Sequence, residues 1–294
     1  FSNANTGPAT LSIDGGGGAP IKKRVTEDLA AGEIAADSVH ALIFDGTNFQ
    51  ILSPIFEAIA GPPPAIGGVS ASEGLVITND ATTPDEILTI TANAALLQDA
   101  SGHGYQASAV NLEVDITTSG LGGVDTGSSV SDNWYYIWLV SNGSDVAAVL
   151  SLSSSTPVRP AAYVFTGLLG AVFNDSSNDL TKIWQTGRRS FIIPTTVVAN
   201  AGPALLPISD EVPPIAKTVF GTASIDSGVV NGAGSIRLSG DSDERGLQVI
   251  FGTVSAGVPN GCSYFHTPLI TPQNIFESIT GTAGWNIDVA GYTI

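Results

Sequence analysis

Few residues in this 294-residue chain have the types and spacing that chemistry needs. The three histidines, His40, His103 and His266, lie far apart, and none has a partner at metal-ligand spacing. Each reads as structural or exposed. Asp241-Ser242-Asp243-Glu244-Arg245-Gly246 superficially resembles a calcium loop, but Arg245 stands where an oxygen ligand belongs and Gly252 where the closing bidentate acid belongs. Asn174-Asp175-Ser176-Ser177-Asn178-Asp179 has the oxygens for a weak hard-cation site, yet the same residues suit a plain turn, which is the preferred reading. Cys262 and His266 share a strand face but stand too far apart to bond, and no Gly-x-Ser-x-Gly elbow occurs. Gly15 to Gly18 invite a phosphate-loop reading that fails, because no GK[ST] ending and no helix pattern follow. Cleaving a glycan takes two acids across a groove, and nothing in the sequence singles out two. No catalytic, cofactor-binding or metal residue is therefore expected, and the chain is not expected to be an enzyme.

Composition narrows the class. With 34 Gly, 17 Pro and only 13% charged residues, and with many short Val/Ile/Thr runs, the chain predicts a turn-rich all-β protein with little helix. A net charge of −17 argues against nucleic acid as a partner, since phosphate binding needs clustered Lys and Arg. The basic cluster Lys22-Lys23-Arg24 reads as a solvated strand edge. No apolar run reaches membrane-span length, so no membrane insertion is expected. The single cysteine, Cys262, leaves no intrachain disulfide, so stability must come from packing or association. Phe1-Ser2-Asn3 has no start-like character, and the chain is expected to be the C-terminal part of something longer.

The strongest structural signal is Trp134 to Val140, followed by Ser141-Asn142-Gly143-Ser144-Asp145 and Val146 to Leu152. Alternation along a strand sends Trp134, Tyr136, Trp138 and Val140 one way and Tyr135, Ile137 and Leu139 the other, so both faces are apolar and both must be covered. Asn142-Gly143 favours the hairpin turn. Two Trp in one strand also suit sugar stacking, but the apolar opposite face favours a core role.

Along the chain, strands are predicted at Ala9–Ile13 and Ile21–Val25, then a single helical turn at Thr26–Leu29, then a hairpin of Val39–Phe44 and Phe49–Leu52 around Asp45-Gly46-Thr47-Asn48. Residues 1–54 form an N-terminal β-module, and the Pro/Gly-rich residues 55–73 form a linker. A central β-sandwich module follows over 74–193, with a one-sided strand at Val110, Leu112, Val114 and Ile116. Residues 194–294 form a C-terminal β-sandwich head domain, entered through Pro203, Pro207, Pro213 and Pro214 and closed by Trp285, Ile287 and Val289. The fold class is thus several small β-modules of sandwich type in series.

The succession Asn5-Thr6-Gly7-Pro8-Ala9-Thr10-Leu11, Pro20-Ile21-Lys22-Lys23, Leu29-Ala30-Ala31-Gly32-Glu33-Ile34 and Phe44-Asp45-Gly46-Thr47-Asn48-Phe49-Gln50 resembles a module of tail-fibre and related structural proteins of tailed bacteriophages. That family usually carries Gly-x-Gly where this chain has Gly15 to Gly18. Leu121-Gly122-Gly123-Val124-Asp125-Thr126-Gly127, the aromatic hairpin, Ser155-Thr156-Pro157-Val158-Arg159-Pro160 and Gln185-Thr186-Gly187-Arg188-Arg189 look like a second phage tail module, spanning Gly74 to Ile193.

The resemblance implies a virion structural protein, a tail fibre or spike segment that attaches to a host surface glycan or protein and contacts other tail or baseplate proteins. Short modules leave edges and apolar patches that one copy covers poorly, so a parallel homotrimer is expected. Receptor-binding residues are not fixed by the sequence, and the loops Ser239–Gly246 and Ala256–Gly261 are the candidates. A capsid head fibre or decoration protein, and a glycan depolymerase tail spike, are the alternatives.

Overall fold

The computed structural model describes residues 5–12, 17–23, 26–31, 34, 42–51, 71–198, 203–225, 232–255, 258–281 and 284–294. Every regular element among them is a β-strand, as the composition predicts. Contacts divide the chain into two units, residues 1–62 and 63–294. Of the expected linker over 55–73, residues 55–70 lie outside the described residues.

In the first unit, β1 (Ala9–Leu11), β2 (Ala19–Lys23), β3 (Glu27–Asp28), β4 (Leu42–Phe44) and β5 (Phe49–Ile51) form one sheet in the order β1-β2-β5-β4, with β3 beside β2. Ile21, Leu29, Ile34 and Phe49 make its core. The helical turn expected at Thr26–Leu29 is instead strand β3. Its Glu27 and Asp28 face Lys23 and Lys22, with ion pairs of 3.2 and 2.6 Å, so cross-strand charge pairing overrides the local capping signal. Lys23 is accordingly buried rather than a solvated edge residue, while Arg24 lies outside the described residues. The predicted hairpin is present where it is described. Phe44 pairs with Phe49, and Asp45 Oδ1 accepts the backbone N–H groups of Thr47 and Asn48 at 2.9 and 2.7 Å.

The second unit opens with β6 (Ser72–Glu73), β7 (Val76–Asn79), β8 (Ile87–Gln98) and β9 (Gly104–Asp115). The aromatic hairpin follows as β10 (Asn133–Ser141) and β11 (Val146–Ser151), then β12 (Phe165–Asn174), β13 (Ile183–Thr186) and β14 (Arg189–Val198). Last come β15 (Ala204–Pro207), β16 (Thr218–Ile225), β17 (Gly232–Ser239), β18 (Gln248–Ser255), β19 (Val258–Asn260), β20 (Cys262–Pro268), β21 (Asn274–Gly281) and β22 (Trp285–Thr293). A 12-stranded sheet runs β11-β10-β12-β8-β7-β13-β14-β22-β16-β20, with β6 and β9 also on β8, and a 5-stranded sheet runs β15-β21-β17-β18-β19.

Both faces of β10 are buried, as its alternation requires. Tyr135, Ile137 and Leu139 enter a core with Leu88, Ile90 and Val114, between the β10-β11-β12 meander and the β7-β8-β9 part of the same sheet. The meander joins that part only at Thr166–Gln98. Tyr136, Trp138 and Val140 pack on the opposite face with Val149, Leu168 and Ala171. The turn is a four-residue loop, with Gly143 at φ 91° and Asn142 Oδ1 accepting the N–H groups of Ser144 and Asp145.

Residues beyond the expected boundary at 193/194 help cover that opposite face. Trp134 meets Tyr292 edge-on at 5.8 Å and donates its indole N–H to Ser209 O at 2.7 Å. The buried Tyr292 hydroxyl donates to Ala171 O at 2.8 Å. The boundary itself falls inside β14. Pro194, which has no N–H for a ladder, sits where the β14–β22 pairing shifts register between Phe191 and Thr195, so the sheet continues past it. A further core, including Trp285, Phe265, Ile236 and Ile250, lies between the second half of the large sheet and the 5-stranded sheet.

Removing the Tyr292 hydroxyl leaves a buried carbonyl without its donor. Tyr292→Phe is expected to lower unfolding free energy by about 1–2 kcal/mol. Urea denaturation of the full chain should show one shifted transition for the aromatic hairpin and the C-terminal strands together, because they share a sheet.

Candidate functional site

The residues that hinted at chemistry are held apart. His103 sits in the β8–β9 turn with Nδ1 2.9 Å from Asp99 Oδ2, His266 lies on the outer face of β20, and His40 is outside the described residues. Among the described residues no group of three His, Cys, Asp or Glu could hold a metal ion. Asp175 Oδ1 accepts the N–H groups of Ser177 and Asp179, and the Asn174 amide ties Asn178 to Val130 O, so these side chains build the turn expected there. In the Asp241 loop, Arg245 pairs with Asp241 and Arg237 donates to Glu244, which leaves the acids engaged with cations of the chain.

The two candidate receptor loops do not converge. Ser239–Gly246 precedes β18 and Ala256–Gly261 follows it, so about 27 Å of extended strand separates them. Of the second loop, residues 256–257 lie outside the described residues. Among the described residues, this second end of the sheet carries a groove. It has a volume of about 470 Å³ and is lined by Ser235, Phe251, Thr253, Asn260, Thr280 and adjoining small residues.

Glycine lets the core close on the sheet beneath this groove. Gly234 pairs with Gly252 on one side and Gly281 on the other, placing three glycines in one row across β18, β17 and β21. A Cβ on Gly252 would come within 3.1 Å of both Ile225 and Trp285, so the row lets the core tryptophan press against the strand. Gly281, at φ 98°, takes a backbone conformation that disfavours side chains. On the outer face, Ser235 and Thr280 hydroxyls meet at 2.8 Å and Thr253 pairs with Asn260. Phe251 is 75% exposed beside them. An uncharged trough of hydroxyl and amide groups with an exposed aromatic wall can stack the apolar face of a sugar ring and bond its hydroxyls. No Asp or Glu is among the described residues that line it.

A smaller cleft of about 190 Å³ lies between Trp134, Lys182, Ile192, Asp210 and Glu211. Burial pushes the Glu211 carboxyl above the usual glutamate range; backbone hydrogen bonds from Glu211 and Asp210 oppose the push, and the charge of Asp210 adds to it. These two acids are consecutive and stand on one wall. Glycoside hydrolysis needs carboxyls flanking the bond, so the pair does not make a glycosidase site.

Ser235, Phe251, Thr253 and Thr280 carry no distinguishing signal in the sequence. In β18 both alternating sets, Val249/Phe251/Thr253 and Ile250/Gly252/Val254, contain apolar residues, so periodicity cannot say which set faces water. The row of glycines is a signal only once register is known.

An acid raised by folding weakens the folded state once it ionises. Glu211→Gln is therefore expected to raise the melting temperature at pH 7, with the gain shrinking as pH falls toward the ordinary glutamate value and vanishing below about pH 4. Thermal unfolding across that range checks the sign. Comparison with protein-family models, with curated proteins and with solved structures finds no match for this chain.

Proposed function

We propose that this chain is a virion structural protein of a tailed bacteriophage, a tail fibre or spike segment that attaches to a glycan on the host surface. One observation carries the binding part: the uncharged, aromatic-walled groove at the Asn260 end of the 5-stranded sheet. The resemblance of residues 5–50 and 74–193 to phage tail modules supports the virion part. All-β architecture fits a mechanical role, because in the second unit its ladders join distant segments into two extended sheets. We read the paired sheets around each core of the second unit as sandwich-type modules.

A parallel homotrimer belongs to the same proposal. The large sheet ends in the long strand β9, which among the described residues pairs only with β8. Exposed apolar side chains such as Ile193 and Val158 add surface that a second copy can cover. Light scattering on purified protein reads the mass directly, and a stable monomer contradicts this part.

Purified chain added before infection is expected to block phage adsorption, and immunogold labelling is expected to mark the tail. Label on the capsid would support the head-fibre alternative, and release of oligosaccharide from host capsule would support a depolymerase. Phe251→Ala is expected to weaken the block several-fold to about tenfold. Its stability should stay within about 0.5 kcal/mol of the parent, because the ring is mostly in water. An unchanged block in a folded Phe251→Ala protein removes the groove from the proposal.

A further inference from the structure

The outer face of the large sheet carries a second built surface. One cross-strand row runs Thr78, Trp184, Phe191, Gly291, Phe220 and His266, each paired with the next across β7, β13, β14, β22, β16 and β20. Trp184 stacks on Phe191 at 5.2 Å with 30° between planes, and Phe191 meets Phe220 edge-on at 5.4 Å. Gly291 sits between them, where a Cβ would lie 2.4 Å from the Phe220 ring, so its lack of a side chain lets that ring lie across β22.

Arg189 lies flat on this row. Its guanidinium is 4.1 Å from the Phe220 centroid and 4.9 Å from that of Phe191, and it donates to the Tyr264 hydroxyl at 3.1 Å. Phe220 is only 2% exposed, whereas Trp184 is 50% and Tyr264 53% exposed. The cation therefore roofs one ring and leaves two aromatic plates open beside it. A guanidinium has five N–H donors, and among the described residues no carboxylate forms an ion pair with Arg189. In a chain with 10 Lys and Arg against 27 Asp and Glu, a fixed cation between exposed aromatic rings is a local reversal of sign. Asp288 lies on the other side of the aromatic row, where it accepts from Thr196 and Thr222. A ligand on the open rings thus meets the guanidinium fork over Phe220 and Phe191 and, beyond Phe220, the Tyr264 hydroxyl.

We infer that the Trp184–Arg189–Tyr264 surface binds a carboxylate-bearing saccharide, its ring stacked on Trp184 or Tyr264 and its carboxylate held by the Arg189 fork. Charge complementarity favours this occupant over a neutral glycan, and the planar guanidinium fork suits a bidentate carboxylate. The row from β13 to β20 crosses five strands, on the order of 19 Å, which suits a short oligosaccharide rather than one sugar. The site rests on the attachment reading for the source of its ligand but is separate from the Phe251 groove.

Titration of the full chain with tetragalacturonate, followed by tryptophan fluorescence and calorimetry, tests it, with maltotetraose as the uncharged control. Tetragalacturonate is expected to bind at least about tenfold tighter than maltotetraose and to weaken as salt is raised. Trp184→Ala is expected to abolish the fluorescence change. Arg189→Lys keeps a stem over Phe220 and should fold while losing about tenfold in affinity. Phe251→Ala should leave this binding unchanged. Equal affinity for both sugars, no binding of tetragalacturonate, or full binding by both Trp184→Ala and Arg189→Lys overturns the site. A loss of molecular mass in Trp184→Ala by light scattering without sugar assigns the face to a second copy and likewise overturns it. If Phe251→Ala loses adsorption blocking while tetragalacturonate stays unbound, only this site falls and the attachment reading stands.

Discussion

Strand β10 carries large apolar side chains on both of its faces, and water must be excluded from both at once. Tyr135 and Trp138 alone bring two aromatic rings to opposite sides of the same backbone. A single sheet covers one side by folding over, which β7, β8 and β9 accomplish. The other side needs more chain, and part of that cover comes from Ser209, Ile215 and Tyr292. Burial of an aromatic side chain is worth roughly 1.5–3 kcal/mol, so leaving this second face wet would cost a large share of a typical domain's stability. Residues of the C-terminal strands thus take part in covering the second face of β10.

Continuity of the sheet then sets what its outer surface can display. Where strands pair in register across long stretches of sequence, residues that are remote along the chain become neighbours in a row. Trp184 and His266 belong to one such row, and the three glycines Gly234, Gly252 and Gly281 to another. The first row gathers aromatic rings under a cation, and the second lets Trp285 fit closely beneath the 5-stranded sheet. Both arrangements are therefore by-products of pairing geometry that a linear motif does not encode.

Much of the local structure follows from the residues alone. The Asp45 loop, the Asn142-Gly143 loop and the Asn174–Asp179 turn form as their side chains dictate, because an Asx side chain reaches only two or three residues onward. One-sided strands such as β22, with Trp285, Ile287 and Val289 buried, also follow from alternation. Thr26–Leu29 shows where local rules fail: a cap-like threonine promised a helical turn, and the lysines of β2 drew the acids into a strand.

The amino-acid sequence by itself determined that the chain is all-β, where its tightest turns fall, and that β10 is buried on two sides, since these depend on neighbours within a few residues. Tertiary structure alone decided that β14 runs through Pro194 with a shift of register, that Lys23 is buried, and that the candidate loops stand at opposite ends of β18. It also decided that Phe251, Trp184 and Tyr264 face water. The reason is that a strand with apolar residues on both faces has no preferred side until its partners are fixed, and those partners lie up to a hundred residues away.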